Sequence, residues 1–168
     1  MKQVFQSIID IGKGDCLRAT LCSLLELDPA IVPNFSALGQ NYFTPFLQTI
    51  RAAGCEYIGT RYADPWGDAA PAYTLDKLKK RAGIDGMFLA TVLSPKYHDL
   101  EIVQKSFNAR VLPFGTATHS IIIDKDLNVI HDPNPNYRGV KEYPFAEVIG
   151  HHGIMSACVI EKDDSTPQ

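Results

Sequence analysis

The chain has 168 residues, 45% of them hydrophobic and 21% charged, with a formal net charge of -3 at pH 7. This length suits one domain whose core is large enough to fold without disulfides or bound metals. The near balance of charge argues against a nucleic-acid partner, which needs a basic surface. With no run of about 20 apolar residues and no signal-peptide pattern at the N-terminus, we expect a cytoplasmic protein with no membrane partner.

The predicted elements run from helices to strands along the chain. Leucines recur at helical spacing over residues 15–26, and the Asp28-Pro29 pair ends this first helix. Further helices are predicted at about 44–53 and 75–82. Strands are predicted at 55–62, 86–93, 117–124, 128–132 and 154–161. The pattern predicts a single α+β domain over residues 1–161 with an antiparallel sheet, followed by a polar tail at 162–168.

One cysteine stands out among four predicted free thiols, Cys16, Cys22, Cys55 and Cys158, which form no CxxC pair. Cys16 lies in the first turn of the first helix, after glycines that leave the approach open, with Asp15 as the predicted N-cap. The helix dipole and the free backbone N–H groups there favour a thiolate and can stabilise an oxyanion on an attacked carbonyl. The alternative is an inert core cysteine, because Cys16 lies near Leu17 and Ala19 on the helical wheel.

A hairpin predicted at residues 117–132 carries two further candidate catalytic residues, a histidine and an aspartate. A two-residue turn at Lys125 and Asp126 sets a register that places His119 directly opposite Asp132. An imidazole beside a carboxylate is the base and orienting group that nucleophilic catalysis requires. We therefore expect His119 to take the thiol proton of Cys16 and Asp132 to orient His119. A register slip of one residue would remove this pairing, and the alternative is a His and an Asp at solvent-exposed strand ends.

Four stretches of the chain form a recognisable series. They read Gly14-Asp15-Cys16-Leu17-Arg18-Ala19-Thr20-Leu21-Cys22-Ser23-Leu24-Leu25, Val32-Pro33-Asn34-Phe35, Thr118-His119-Ser120-Ile121 and His131-Asp132-Pro133-Asn134-Pro135. The series resembles the papain-like cysteine hydrolase superfamily, and most closely small phage and bacterial proteins with a GDC, HS and HDPxP pattern. The resemblance covers residues 1–35 and 117–135, whereas residues 55–115 have only a general α+β pattern.

This resemblance implies a papain-like fold in which an N-terminal nucleophile helix packs on the sheet that carries the His and the Asp. It implies a Cys-His-Asp triad, a thioester intermediate, and a peptide, protein or small amide as substrate. The substrate stays open, since the superfamily includes peptidases, isopeptidases, amidases, deamidases and acyltransferases. A phage origin would place the protein in the host cytoplasm.

Papain-like enzymes also use an upstream glutamine side chain in the oxyanion hole. Gln6 is the candidate here, although its distance from Cys16 along the chain is longer than is familiar in the family. Either the loop at residues 8–13 lets Gln6 reach the site, or the hole is built differently. The alternative for Gln6 is an ordinary surface residue.

Other polar and aromatic residues have plainer interpretations. His131 is predicted on the opposite face from Asp132, as a surface or supporting residue, and Trp66 is predicted to pin a loop to the core. A zinc site using His119, Asp132 and a histidine from 151–152 has no compact ligand spacing, so no metal is predicted. Without a phosphate-binding or dinucleotide motif, we predict no cofactor.

A non-catalytic function is the rival hypothesis. The same fold could serve as a binding or inhibitor protein, for example one encoded by a phage, because a triad can persist without activity. Thiol reactivity separates the two hypotheses, since a catalytic Cys16 has a depressed pKa and reacts faster than the other cysteines.

Overall fold

A computed structural model of the chain describes residues 1–8, 14–94, 99–109, 118–137, 139–140, 143 and 145–164. Two sequence predictions lie wholly or partly outside these residues: the open approach to Cys16, at residues 9–13, and the polar tail, at residues 165–168. Within the described ranges, no helix has the length and apolar character needed to cross a membrane.

Helices and strands alternate more than the sequence predicted. The elements are α1 (Cys16–Leu25), α2 (Phe43–Ala52), β1 (Cys55–Tyr62), β2 (Met87–Leu93), α3 (Leu100–Asn108), β3 (Thr118–Asp124), β4 (Val129–His131), α4 (Ala146–Ile149) and β5 (Ile154–Lys162). The five predicted strands and first two helices are confirmed to within one or two residues. The segment predicted as a helix at 75–82 is a 3-10 helix, Leu75–Lys80.

The helix α3 was not predicted from the sequence. Only two of its side chains, Val103 and Phe107, are buried, so its apolar stripe is narrow. Its start is marked by Asp99, whose carboxylate accepts hydrogen bonds from the backbone N–H groups of Glu101 and Ile102.

The described strands form one antiparallel sheet in the order β1-β5-β2-β3-β4. The α+β prediction with an antiparallel sheet is therefore confirmed. The last strand in the chain lies inside the sheet between β1 and β2, and its Lys162 pairs with Cys55, so the strand extends one residue into the predicted tail.

Apolar side chains cover both faces of the sheet. Ile122 packs with the apolar residues of α1 and α2 on one face. Its neighbours Ile121 and Ile123 pack on the other face, with Phe88, Leu78 and Tyr143. Successive residues of a strand point to opposite faces, so β3 is buried on both sides. The strand β3, which begins with Thr118 and His119, is therefore held in place by apolar side chains on both of its faces.

The predicted register of the β3-β4 hairpin is wrong. Ile122 pairs with His131, which excludes a direct pairing of His119 with Asp132. The turn holds three residues, because the N–H of Asp124 bonds the carbonyl of Asn128 at 3.0 Å and the third turn residue, Leu127, has a positive φ of 68°. The carboxylate of Asp124 stabilises this longer turn by accepting from the backbone N–H of Asn128 at 2.9 Å.

Candidate active site

The helix α1 begins at Cys16, and Asp15 occupies the N-cap position. The predicted capping role of Asp15 is wrong, because its carboxylate makes no hydrogen bond to the first turn of the helix. The carboxylate instead accepts from the backbone N–H groups of Ser7 at 2.9 Å and Ile8 at 3.0 Å, and it pairs with Arg18. Asp15 thus ties the N-terminal segment to the start of α1.

The start of α1 lies against the start of β3. The hydroxyl of Thr20 lies 3.0 Å from the carbonyl oxygen of Ser120, and it also bonds the carbonyl of Cys16. The His119 side chain and the backbone and side chain of Ser120 lie close enough to the Cys16 thiol to lower its pKa. The partly exposed Cys16 therefore lies beside the predicted base.

His119 and Asp132 are in contact despite the shifted register. The Nε2 atom of His119 lies 2.6 Å from Oδ1 of Asp132, and both residues are buried. The pairing of Ile122 with His131 makes Asp132 a diagonal neighbour of His119, and diagonal neighbours lie within reach of long side chains. The chain leaves β4 after His131, so the Asp132 carboxylate reaches His119 from just beyond the strand.

Two further donors hold the carboxylate of Asp132. The backbone N–H of Asn134 bonds Oδ1 at 2.8 Å, and the hydroxyl of Tyr143 donates to Oδ2. Sequence reasoning missed both groups. The Asp-Pro-Asn sequence could have indicated the Asx turn that Asn134 completes, but no local signal connects Tyr143 to Asp132.

The electrostatics of Cys16 and His119 favour charge separation. Burial raises the pKa of the Cys16 thiol, but the hydrogen bond and positive charge of His119, together with Ser120, lower the pKa overall. Burial by itself lowers the pKa of His119, whereas its bonds to Asp132 and Cys16 raise that pKa to about 9. Both shifts favour a thiolate beside an imidazolium.

The other three cysteines have the opposite tendency. Burial raises the pKa of Cys22 to about 11. Burial also raises the pKa values of Cys55 and Cys158. Because a thiolate is the reactive form, the environment of Cys16 differs in kind from that of the remaining thiols.

Gln6 is only 9% exposed, so the surface alternative for this residue is wrong. Its backbone N–H donates to the carbonyl of Pro133 at 3.0 Å, immediately after Asp132. Its side-chain Oε1 is buried and has no hydrogen-bond partner among the described residues. Gln6 therefore lies beside the end of β4, and its part in an oxyanion hole stays a prediction.

His131 is buried, which corrects its prediction as a surface residue while leaving a supporting role. Its Nε2 lies 2.9 Å from the carbonyl oxygen of Val4, and its ring meets the edge of Phe5 at a centroid distance of 5.3 Å. The side chain holds the N-terminal segment against β4, so it lies next to the site without joining the Cys16 and His119 pair.

The remaining predictions are simpler to place. Trp66 packs as predicted, with its indole N–H bonded to the Phe107 carbonyl at 3.0 Å. His151 and His152 are exposed in a 3-10 turn. Among the residues that the structure describes, no group of three His, Cys, Asp or Glu side chains is arranged to hold a metal ion.

No protein-family model, curated protein or solved structure matches this chain.

Proposed function

We propose that the protein is a cysteine-dependent hydrolase or acyl-transfer enzyme that acts through a Cys16-His119-Asp132 triad. The observation that supports the proposal is the arrangement of three side chains at the start of α1. A thiol with a lowered pKa lies beside an imidazole with a raised pKa, and that imidazole bonds a fixed carboxylate. This set of contacts is what nucleophilic catalysis by a thiolate requires.

The first half of the reaction forms a thioester. The Cys16 thiolate attacks the carbonyl carbon of an amide, an S–C bond forms, and the carbonyl π electrons move to oxygen. We assign the stabilisation of that oxyanion to backbone N–H groups at the start of α1, with Gln6 as the proposed side-chain donor. The oxyanion then collapses, the C–N bond breaks, and the imidazolium of His119 gives its proton to the leaving amine.

The second half of the reaction releases the acyl group. Neutral His119 takes a proton from water, or from an acceptor amine, as that nucleophile attacks the thioester carbonyl. The S–C bond breaks and the Cys16 thiolate leaves, giving a carboxylic acid or a new amide. Asp132 orients His119 and stabilises the imidazolium in both halves.

Alkylation of the native protein tests this proposal. Iodoacetamide is applied between about pH 5 and pH 9, and each cysteine is followed separately by peptide mass. We expect Cys16 to react fastest, with a midpoint well below the ordinary thiol pKa of 9.0, because the imidazolium stabilises its thiolate. The substitution His119→Ala removes that cation and should raise the midpoint.

The variant Cys16→Ala is the matched control for turnover. We expect it to retain the circular dichroism spectrum of the parent and to lose all acyl chemistry. In the parent, turnover should fall at pH values above about 9, where His119 loses its proton, and also below the lowered thiol pKa. Equal and slow alkylation of all four cysteines would instead favour the non-catalytic binding protein. Normal turnover by Cys16→Ala would overturn the assignment of Cys16 as the nucleophile.

A further inference from the structure

A groove of about 320 Å³ opens beside Cys16, at the lower end of the size range of small-molecule sites. Its aromatic lining comes from the chain between α1 and β1 and from β1 itself. These rings are Phe35, Tyr42, Phe43, Phe46 and Tyr57. Phe35 and Phe46 are buried, whereas Tyr42 and Phe43 are exposed, so the rings extend from the core to the mouth of the groove.

The aromatic rings of the groove support one another. Phe43 stacks on Phe46 with a centroid distance of 6.2 Å and meets the edge of Tyr57 at 5.7 Å. Phe46 in turn meets the edge of Phe35 at 5.7 Å. Such contacts fix the wall before a ligand arrives, so little conformational entropy is lost on binding.

Apart from the Cys16 thiol, the polar lining of the groove is neutral. Hydroxyl groups come from the sheet at Thr60, Thr91, Thr118 and Ser120. Among the described residues that line the groove, no side chain is Asp, Glu, Lys or Arg. A charged ligand group would lose its hydration here without an ionic partner, whereas an apolar group gains from leaving water.

The position of Cys16 relative to His119 indicates which part of a substrate occupies the groove. Cys16 is part of the lining, and His119 is not among the described lining residues. In the proposed reaction the acyl group stays bonded to the Cys16 sulfur, while the leaving amine must lie at His119 to receive its proton. The groove is therefore on the acyl side of the scissile bond.

We propose that this groove is the acyl-side binding site, and that it selects substrates with an uncharged aromatic or aliphatic side chain next to the scissile carbonyl. This inference rests on the proposed function and narrows its substrate class. It assigns a role to the 35–46 segment, which contributes the exposed rings at the mouth.

Matched chloromethyl ketones test the groove. The N-acetyl derivatives of phenylalanine, aspartate and lysine differ only in the side chain beside the carbonyl, and in each the thiolate displaces chloride to form a thioether. Each rate of Cys16 labelling is divided by the rate of the same reagent with free glutathione. We expect the phenylalanine reagent to be faster than both charged reagents by about 10-fold or more.

A charge introduced at the mouth gives a second readout. Phe43 is 44% exposed, so Phe43→Lys can be accommodated by the fold, and we expect it to reduce the phenylalanine preference and accelerate the aspartate reagent several-fold. Tyr42→Lys serves the same purpose if the first variant does not fold. Ile31, 77% exposed and outside the groove lining, provides the control Ile31→Lys, which should leave all three ratios unchanged.

Iodoacetamide, which carries no side chain, separates failure of the groove from failure of the triad. Suppose that iodoacetamide reacts fastest with Cys16, but the three chloromethyl ketones react at equal normalised rates or a charged one reacts faster. The groove proposal is then overturned and the proposed function stands. If iodoacetamide does not single out Cys16, both proposals fail together.

Discussion

Three donors converge on the carboxylate of Asp132 and restrict its position. His119 and the Asn134 N–H bond one oxygen, and the Tyr143 hydroxyl bonds the other. A buried carboxylate with both oxygens occupied has little freedom to rotate, so His119 is oriented before any substrate binds. This preorganisation reduces the reorganisation that the proposed proton transfers require.

Tyr143→Phe tests the importance of the third donor. The ring and its packing remain, but one oxygen of Asp132 becomes buried without a partner, so we expect the free energy of unfolding to fall by about 1–3 kcal/mol. Urea unfolding measures this change. Tyr73→Phe, at a 55% exposed position, should have little effect.

Tyr143→Phe should shift the pH midpoint of Cys16 alkylation less than His119→Ala does. The pH profile of Cys16 alkylation provides this comparison, because the variant retains the imidazole beside the thiol. A stability equal to that of the parent would show that the Tyr143 hydroxyl contributes nothing to the position of Asp132. In that case Tyr143 is a core residue only.

At the scale of elements, the N-terminal segment is held across α1 and β4. The N–H of Val4 bonds the hydroxyl of Ser23 in α1 at 2.8 Å, and the N–H of Gln6 bonds the carbonyl of Pro133 after β4. Farther along, Ser7 bonds Asp15 through both its N–H and its hydroxyl. The segment thus joins the element carrying Cys16 to the one that leads into Asp132.

Asp15→Asn should weaken this connection in a pH-dependent way. Burial raises the pKa of Asp15, but its bonds to Ile8, Arg18 and Ser7 lower the pKa below the ordinary 3.8. The stabilisation of the folded state by the ionised Asp15 carboxylate is therefore present above pH 3.8 and is lost as the pH falls through the lowered pKa of Asp15. We expect a loss of about 1.5–3 kcal/mol at pH 7.

Urea unfolding of the parent and Asp15→Asn across the acid range measures this prediction. The difference between the two proteins should shrink as the pH drops below 3.8. The control Glu101→Gln removes an exposed ion pair with Lys105, which should contribute little at any pH. A difference that does not vary with pH would show that the charge of Asp15 is not the stabilising feature.

At the scale of the whole molecule, the site depends on distant parts of the chain. The glycine that precedes β5, Gly153, lies against Tyr143, and a Cβ atom added there would come within 2.8 Å of the Tyr143 Cβ. Its φ of 84° also disfavours any other residue. The entry to β5, a strand inside the sheet, is thereby packed against a residue that bonds Asp132.

Gly153→Ala should therefore lower the free energy of unfolding and disturb the position of Tyr143 beside Asp132. We expect a loss of about 1–3 kcal/mol in the free energy of unfolding from the forced contact, beyond the backbone cost of a positive φ. Gly54→Ala is the control for that backbone cost, since Gly54 has a φ of 69° and nothing within 4 Å of an added Cβ. Equal losses in the two variants, measured by urea unfolding, would contradict the packing argument.

Local patterns predicted much of the secondary structure but not the hairpin register. Leucine spacing in α1 and the apolar runs of the strands act over a few residues, so they could be identified directly. The register depended on Asp124, whose carboxylate stabilises a three-residue turn with Leu127 at positive φ. A non-glycine residue in that conformation carries no clear sequence signal, and the pairing of His119 with Asp132 was consequently predicted for the wrong reason.

The sequence by itself determined that a cysteine begins the first helix and that a His and an Asp flank a later hairpin. Helix starts, breakers and strand periodicity depend on neighbouring residues, so they are visible in the chain alone. Only the tertiary structure brought Cys16 beside His119, placed the Tyr143 hydroxyl on the Asp132 carboxylate and formed the groove. These contacts depend on packing between distant segments, as with Thr20 and Ser120, which are 100 residues apart. Such packing depends on segments far apart in sequence covering both faces of the sheet together, and no local pattern in the chain encodes it.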